Sequence, residues 1–154
     1  MTHRVLFVCL GNICRSPTAE GVLRGIAARE FPRLPLYVDS AGTANYHAGE
    51  PPDRRSIAAA RRRGYDIASL RARQLAPTDF EAFDYVLAMD RANLVQMQAL
   101  RPEARGAQVS LFLEYAQLEC DEVPDPYYGG IEDFERVLDL CETGARALLT
   151  RLAR

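Results

Sequence analysis

Apolar and polar positions follow two periods along the chain. The run Val5-Leu6-Phe7-Val8 is apolar at every position. That suits a strand buried on both faces, as in a parallel sheet. Ser16-Pro17 then opens a helix, proline being tolerated at the first helical position. Ala19, Val22, Leu23, Ile26 and Ala27 share one face of it at helical spacing. Leu36-Tyr37-Val38 reads as a second strand, closing in the small, turn-prone stretch Ser40-Ala41-Gly42-Thr43. Residues 53–63 read as a helix ended by Gly64. Tyr85-Val86-Leu87-Ala88-Met89 is a third strand, after which Asp90 is placed to cap a helix through about Leu100. Val109-Ser110-Leu111-Phe112 is a fourth, weaker strand. The last helix spans 131–152, with Phe134, Val137, Leu138, Cys141, Ala145, Leu148, Leu149 and Leu152 on one face.

This alternation predicts an α/β chain, residues 1–154 forming a single three-layer domain. A central four-stranded parallel sheet would carry helices on both faces, a flavodoxin-like arrangement. Ligands of such sheets bind beyond the carboxyl ends of the strands. The loops after residues 8, 39, 89 and 112 should therefore crowd one edge, and segment 119–130 is long enough to reach it.

Composition narrows the function classes. Hydrophobic residues make up 48% of 154 and charged residues 26%, an ordinary globular balance. A net charge of -2 argues against general affinity for nucleic acid or anionic membrane, so any strong anion site must be local. No window approaches the roughly 18 apolar residues of a membrane span. The first apolar run is too short for a signal-peptide core, and a cytoplasmic address is expected. The four cysteines, at 9, 14, 120 and 141, form no C-x-x-C pair, and only His3 and His47 could assist a metal. Zinc is not expected, nor a disulfide scaffold. Cys120 and Cys141 read as small core residues.

The chemistry concentrates in Cys9-Leu10-Gly11-Asn12-Ile13-Cys14-Arg15-Ser16-Pro17, between the first strand and the first helix. A strand-to-helix turn aims backbone N–H groups and a helix N-terminus at one spot, which suits a phosphate-like anion. Gly11 permits unusual backbone angles, and Asn12 tolerates the left-handed region. Cys9 would lie at the bottom of this cradle, its thiolate favoured by the loop dipoles and Arg15 and by a hydrogen bond from Ser16. The planar fork of Arg15 can clamp two phosphoryl oxygens, as a lysine could not. The loop lacks the G-x-x-x-x-G-K-[S/T] pattern of nucleotide-binding turns. Phosphoryl transfer also needs a proton donor. Asp125, between Pro124 and Pro126, is the leading candidate, with Glu119, Asp121 and Glu122 as rivals.

The stretch Val8 through Pro17, with Asp125-Pro126-Tyr127-Tyr128 downstream, resembles the low-molecular-weight protein tyrosine phosphatases, and the likeness spans the whole chain. Asp39-Ser40-Ala41-Gly42-Thr43, Arg71-Ala72-Arg73-Gln74 and Met89-Asp90 are similar as well. The resemblance implies the low-molecular-weight phosphatase fold and a phosphotyrosine phosphatase that works through a phosphocysteine on Cys9. Arg15 would clamp the phosphate, Asp125 act as general acid and base, and Ser16 stabilise the thiolate. Leu10, Gly11, Asn12, Ile13 and Cys14 would complete the phosphate-binding loop, with Asn12 braced through Ser40. Tyr46, Tyr127 and Tyr128 would wall the pocket, and Cys14 would be the redox partner of Cys9. Tyrosine-phosphorylated proteins would be the partners and inorganic phosphate the product, with no metal, no cofactor and a monomeric chain.

Three rivals are compatible with the same loop. An arsenate reductase would need further cysteines in relay, and Cys120 and Cys141 are spaced unlike one. A protein arginine phosphatase tends to carry threonine where this chain has Ile13. A phosphoprotein-binding module would have lost Cys9, Arg15 or Asp125. His47, beside Tyr46, reads as an incidental surface histidine.

Overall fold

The computed structural model describes residues 1–102 and 106–154. Four parallel strands form one sheet in the order β2-β1-β3-β4, where β1 is His3–Cys9, β2 Leu36–Gly42, β3 Tyr85–Ala88 and β4 Gln108–Leu111. The helices are α1 (Arg15–Glu30), α2 (Arg54–Arg62), α3 (Asp79–Ala82), α4 (Arg91–Leu100), α5 (Phe112–Tyr115) and α6 (Ile131–Leu152).

The continuous apolar run of β1 is explained by what covers it. Val5 and Phe7 point into one core with α1, α2, α5 and α6. Leu6 and Val8 point into the other, with Phe80 of α3 and Met97 of α4. Both layers exclude water, so neither face of β1 can be polar. All eight face residues expected of the last helix are buried.

Two strand ends and two short helices differ from the sequence reading. β2 extends through the small stretch read as a turn, pairing Ser40 with Phe7, Ala41 with Val8 and Gly42 with Cys9. Pairing with the central strand outweighs the weak strand preference of small residues. Phe112 is not the end of β4 but the start of α5, and its ring meets Phe7 edge-on at 4.8 Å. The short helices α3 and α5, four residues each, carry no readable periodicity. Other local signals are realised directly. Asp90 and Asn93 form a reciprocal capping box on α4, and Gly64 takes φ 88° after α2. Among the described residues, no helix is long and apolar enough to cross a membrane.

The chain leaves β1 in one direction to reach β2, while β3 lies on its other side. The crevice beyond the carboxyl ends of β1 and β3 is therefore the topological switch point, where such sheets bind ligands. Cys9 ends one strand, and Asp90 follows the other.

Candidate active site

Cys9, Leu10, Gly11, Ile13, Cys14 and Arg15 line a cavity of about 340 Å³ at this switch point, together with Tyr46, His47, Asp125, Tyr127 and Tyr128. Asn12, Ser16 and Ser40 lie beneath it, all buried. The sequence expectation thus separates into a lining and a support.

The support is a chain of directed hydrogen bonds. Asn12 adopts φ 57°, the left-handed conformation expected of it. Its Oδ1 accepts the Arg73 backbone N–H at 3.0 Å, which fixes the amide so that Nδ2 must donate. Nδ2 donates to Ser16 Oγ at 2.8 Å and to Ser40 Oγ at 2.9 Å. Ser40 in turn donates to buried Glu20 Oε1 at 2.7 Å. Because the Ser16 oxygen already accepts, its hydroxyl hydrogen turns either to Cys9 Sγ, 2.9 Å away, or to the more distant Ala41 carbonyl at 3.5 Å. The Asn12 backbone N–H adds a contact to the same sulfur at 3.3 Å. Gly11 does not take a positive φ. Its lack of a side chain instead makes room for His47, whose ring would lie 3.1 Å from an added Cβ.

Arg15 is 3% exposed and held at one nitrogen. Nη1 donates to Asp90 Oδ2 at 2.5 Å and to the Val123 carbonyl at 3.1 Å, while Nη2 lies 3.7 Å from Asp125 Oδ2. Burial would by itself favour the neutral form of this guanidinium. The negative charge of Cys9, then Asp90 and Asp125, outweighs it and raises the pKa above the ordinary arginine value. A buried, fixed positive charge therefore stands beside the sulfur.

The loop carrying Asp125 is tied down before it reaches the cavity. The Val123 N–H donates to the Met89 carbonyl at 2.8 Å, and the Arg91 N–H to Glu122 Oε2 at 2.8 Å. The Arg91 side chain pairs with Asp121. Asp121 and Glu122, rivals for the acid role, are anchors pointing away from the cavity, whereas Asp125 lines it. Tyr46 and Tyr128 stand at the rim, 71% and 96% exposed, and Tyr127 meets Tyr128 edge-on at 5.0 Å.

The other thiols divide. Burial pushes the Cys14 thiol up to about 12, against a hydrogen bond with Ser56. Cys141 is fully buried, as expected of a core residue, and burial pushes its pKa higher too. Cys120 is not a core residue. It is exposed and donates to the Glu122 carbonyl at 3.2 Å, because the loop turns outward there to meet Arg91. His47 is not incidental either, since it forms part of the cavity wall. Sequence reasoning also missed Asp90 as a partner of Arg15, Glu20 as the end of the buried chain, and the Arg73 backbone. For Asp90 a signal existed in its position after a central strand. Among the described residues, no three His, Cys, Asp or Glu side chains are grouped to hold a metal ion.

The sequence profile described as low molecular weight phosphotyrosine protein phosphatase matches residues 4–154. The human low molecular weight phosphotyrosine protein phosphatase is 40% identical over 152 residues, covering 97% of this chain and 96% of its own. The crystal structure of a protein tyrosine phosphatase from Entamoeba histolytica superposes with a TM-score of 0.91 at 38% identity, covering 98% of this chain and 97% of that one. A Drosophila arginine phosphatase is also similar, with a TM-score of 0.87, 29% identity and 96% of each chain covered. On the match across nearly its whole length, the chain belongs to the low molecular weight phosphotyrosine protein phosphatase family.

Proposed function

We propose that this enzyme hydrolyses phosphotyrosine in proteins through a phosphocysteine on Cys9. The observation that carries the reading is the surroundings of Cys9 Sγ. The sulfur meets the Ser16 hydroxyl at 2.9 Å and the Asn12 N–H at 3.3 Å, in a cavity that Arg15 and Asp125 also line.

In the first step Cys9 Sγ attacks phosphorus in line, forming an S–P bond as the P–O bond to the tyrosyl oxygen breaks. Asp125, as the carboxylic acid, gives its proton to that departing oxygen. In the second step water attacks the phosphocysteine and Asp125, now the carboxylate, takes its proton. The S–P bond breaks, the thiolate leaves toward Ser16, and inorganic phosphate departs. Backbone N–H groups from Leu10 through Arg15 hold the equatorial oxygens with preorganised dipoles. Asp90 and Val123 fix one side of the Arg15 fork, leaving its remaining donors for the phosphoryl group. Every step uses groups of this chain and water.

The aromatic rim supports tyrosine as the leaving group. Each good ring–ring contact contributes about 0.5–1.5 kcal/mol, and Ile13 adds apolar lining. Fold likeness by itself does not separate tyrosine from arginine substrates, so Ile13 and the tyrosines carry that choice. A reductase relay is disfavoured because neither Cys120 nor Cys141 lines the cavity. Cys14 does, and its thiol is the resolving group. Burial holds the Cys14 thiol in its protonated form. Peroxide oxidises the Cys9 thiolate to sulfenic acid, the Cys14 thiol attacks that sulfur, and its proton leaves with the hydroxyl as water while the disulfide closes. The partners are tyrosine-phosphorylated proteins, and the free thiols suit a reducing cytoplasm.

The test is release of phosphate from a phosphotyrosine peptide in EDTA, with phosphoarginine and phosphoserine alongside. Phosphotyrosine hydrolysis that disappears in Cys9→Ser is expected. Preference for phosphoarginine would reverse the substrate assignment, and no hydrolysis at all would favour a binding module.

A further inference from the structure

Beside the Cys9 cavity lies a second one of about 370 Å³, lined by Arg54, Arg55, Ala58 and Arg62 on the α2 side and by Ile131 and Phe134 of α6. Arg55 is the ridge between them. Its guanidinium stands 5.4 Å from the Tyr127 ring centroid and 4.6 Å from that of Phe134. Asp53 grips it through both carboxylate oxygens, at 3.0 and 2.9 Å, so Arg55 is fixed.

The other two arginines are less tightly held. Arg54 is exposed and makes no ion pair among the described residues. Arg62 is 54% exposed and holds only Glu135, at 3.0 Å, which Arg63 also grips at 2.7 Å. Three guanidinium groups thus line the groove, and the two carboxylates that meet them are already engaged. Every charged residue that lines the groove is an arginine, in a chain whose net charge is -2. Its floor is apolar, formed by Phe134 and by Ile131, which is 70% exposed.

We propose that this groove docks the polypeptide flanking the phosphotyrosine and selects substrates with an acidic side chain two to four residues away. The proposal rests on the phosphotyrosine reading above. Tyr127 of the Cys9 cavity and Phe134 of the groove stand 5.4 and 4.6 Å from the Arg55 guanidinium, so an extended chain advancing about 3.3–3.6 Å per residue crosses the ridge in about two to four residues. A carboxylate there meets Arg54 and Arg62, and a neighbouring apolar side chain meets Ile131. The arginines line a concavity, which fits a peptide better than a flat membrane surface.

The experiment measures kcat/KM on phosphotyrosine peptides carrying Glu, Ala or Arg at those flanking positions. It uses the full chain, an Arg54→Glu/Arg62→Glu double variant, and p-nitrophenyl phosphate as a substrate without flanks. The wild type should prefer the Glu peptide over the Arg peptide by about threefold to tenfold at low salt, the range of two exposed ion pairs, and by less at high salt. The double variant should lose or invert that preference while hydrolysing p-nitrophenyl phosphate within about twofold of wild type. An Arg54→Gln/Arg62→Gln variant, which adds no repulsion, should flatten it without inverting it. No charge preference in the wild type, or one surviving in both variants, overturns the proposal while p-nitrophenyl phosphate turnover leaves the phosphatase reading standing. Wild-type failure on p-nitrophenyl phosphate overturns both. Binding to phosphatidylserine vesicles that the variants lose, with no peptide preference, would reassign the groove to membranes.

Discussion

Replacing Asn12 by alanine tests how the loop from Cys9 to Ser16 is held. Three hydrogen bonds disappear, to Ser16 Oγ, Ser40 Oγ and the Arg73 N–H, all between 2.8 and 3.0 Å. Each is worth about 0.5–1.5 kcal/mol net, and the buried partners left behind lose their compensation. The φ of 57° adds strain, because alanine adopts the left-handed region at a cost of roughly 1–2 kcal/mol. Together these give about 3–6 kcal/mol, a large share of the stability of an ordinary domain. Asn12→Gly loses the same hydrogen bonds but not the φ tolerance. Glycine should therefore be the more stable variant by about 1 kcal/mol, against its usual ranking. Urea unfolding of the three proteins at constant m-value measures both quantities. Alanine within about 0.5 kcal/mol of wild type, or at least as stable as glycine, would refute the reasoning, since the network would then be ornamental or the conformation unstrained.

Three further outcomes follow from the same geometry. Asp125→Asn should lower kcat on phosphotyrosine by about 10²–10⁴, and by much less on p-nitrophenyl phosphate, whose leaving group needs little protonation; equal losses would remove Asp125 from the acid role. Ser16→Ala withdraws a hydrogen bond worth about 1.5–3 kcal/mol to a charged sulfur, so phosphocysteine breakdown should slow and a burst of p-nitrophenol appear under rapid mixing; a proportional loss with no burst would count against Ser16 as stabiliser of the departing thiolate. Burial, opposed by Ser40 and Arg24, raises the Glu20 pKa above its ordinary 4.5. A carboxyl with a raised folded pKa binds protons more tightly when folded, so it subtracts stability as pH rises from about 4.5 through the folded value. Unfolding titrations should accordingly show Glu20→Gln gaining on wild type across that window, and parallel curves would contradict the assignment.

Much of this protein is legible in order along the chain. The apolar run of β1, the amphipathic face of α6 and the Asp90 cap are local properties, each written within a few turns or one strand, and the structure realises all three. The loop from Cys9 to Ser16 is local too, so one short segment announces sulfur, guanidinium and hydroxyl together. What the chain order could not reveal is which distant groups complete that loop. Glu20 reads as an ordinary helix residue until Ser40, on β2, meets it. Asp90 reads only as a cap until the parallel pairing of β1 with β3 sets it against Arg15. The exposure of Cys120 and the place of His47 in the cavity wall are not legible in the sequence for the same reason, since burial and cavity exposure depend on how loops pack, not on residue type. The elements and the loop that carries Cys9 are thus written in short-range signals. The hydrogen bonds beneath the sulfur and the charge partners of Arg15 come only with the folded chain, because they depend on contacts made across the sheet.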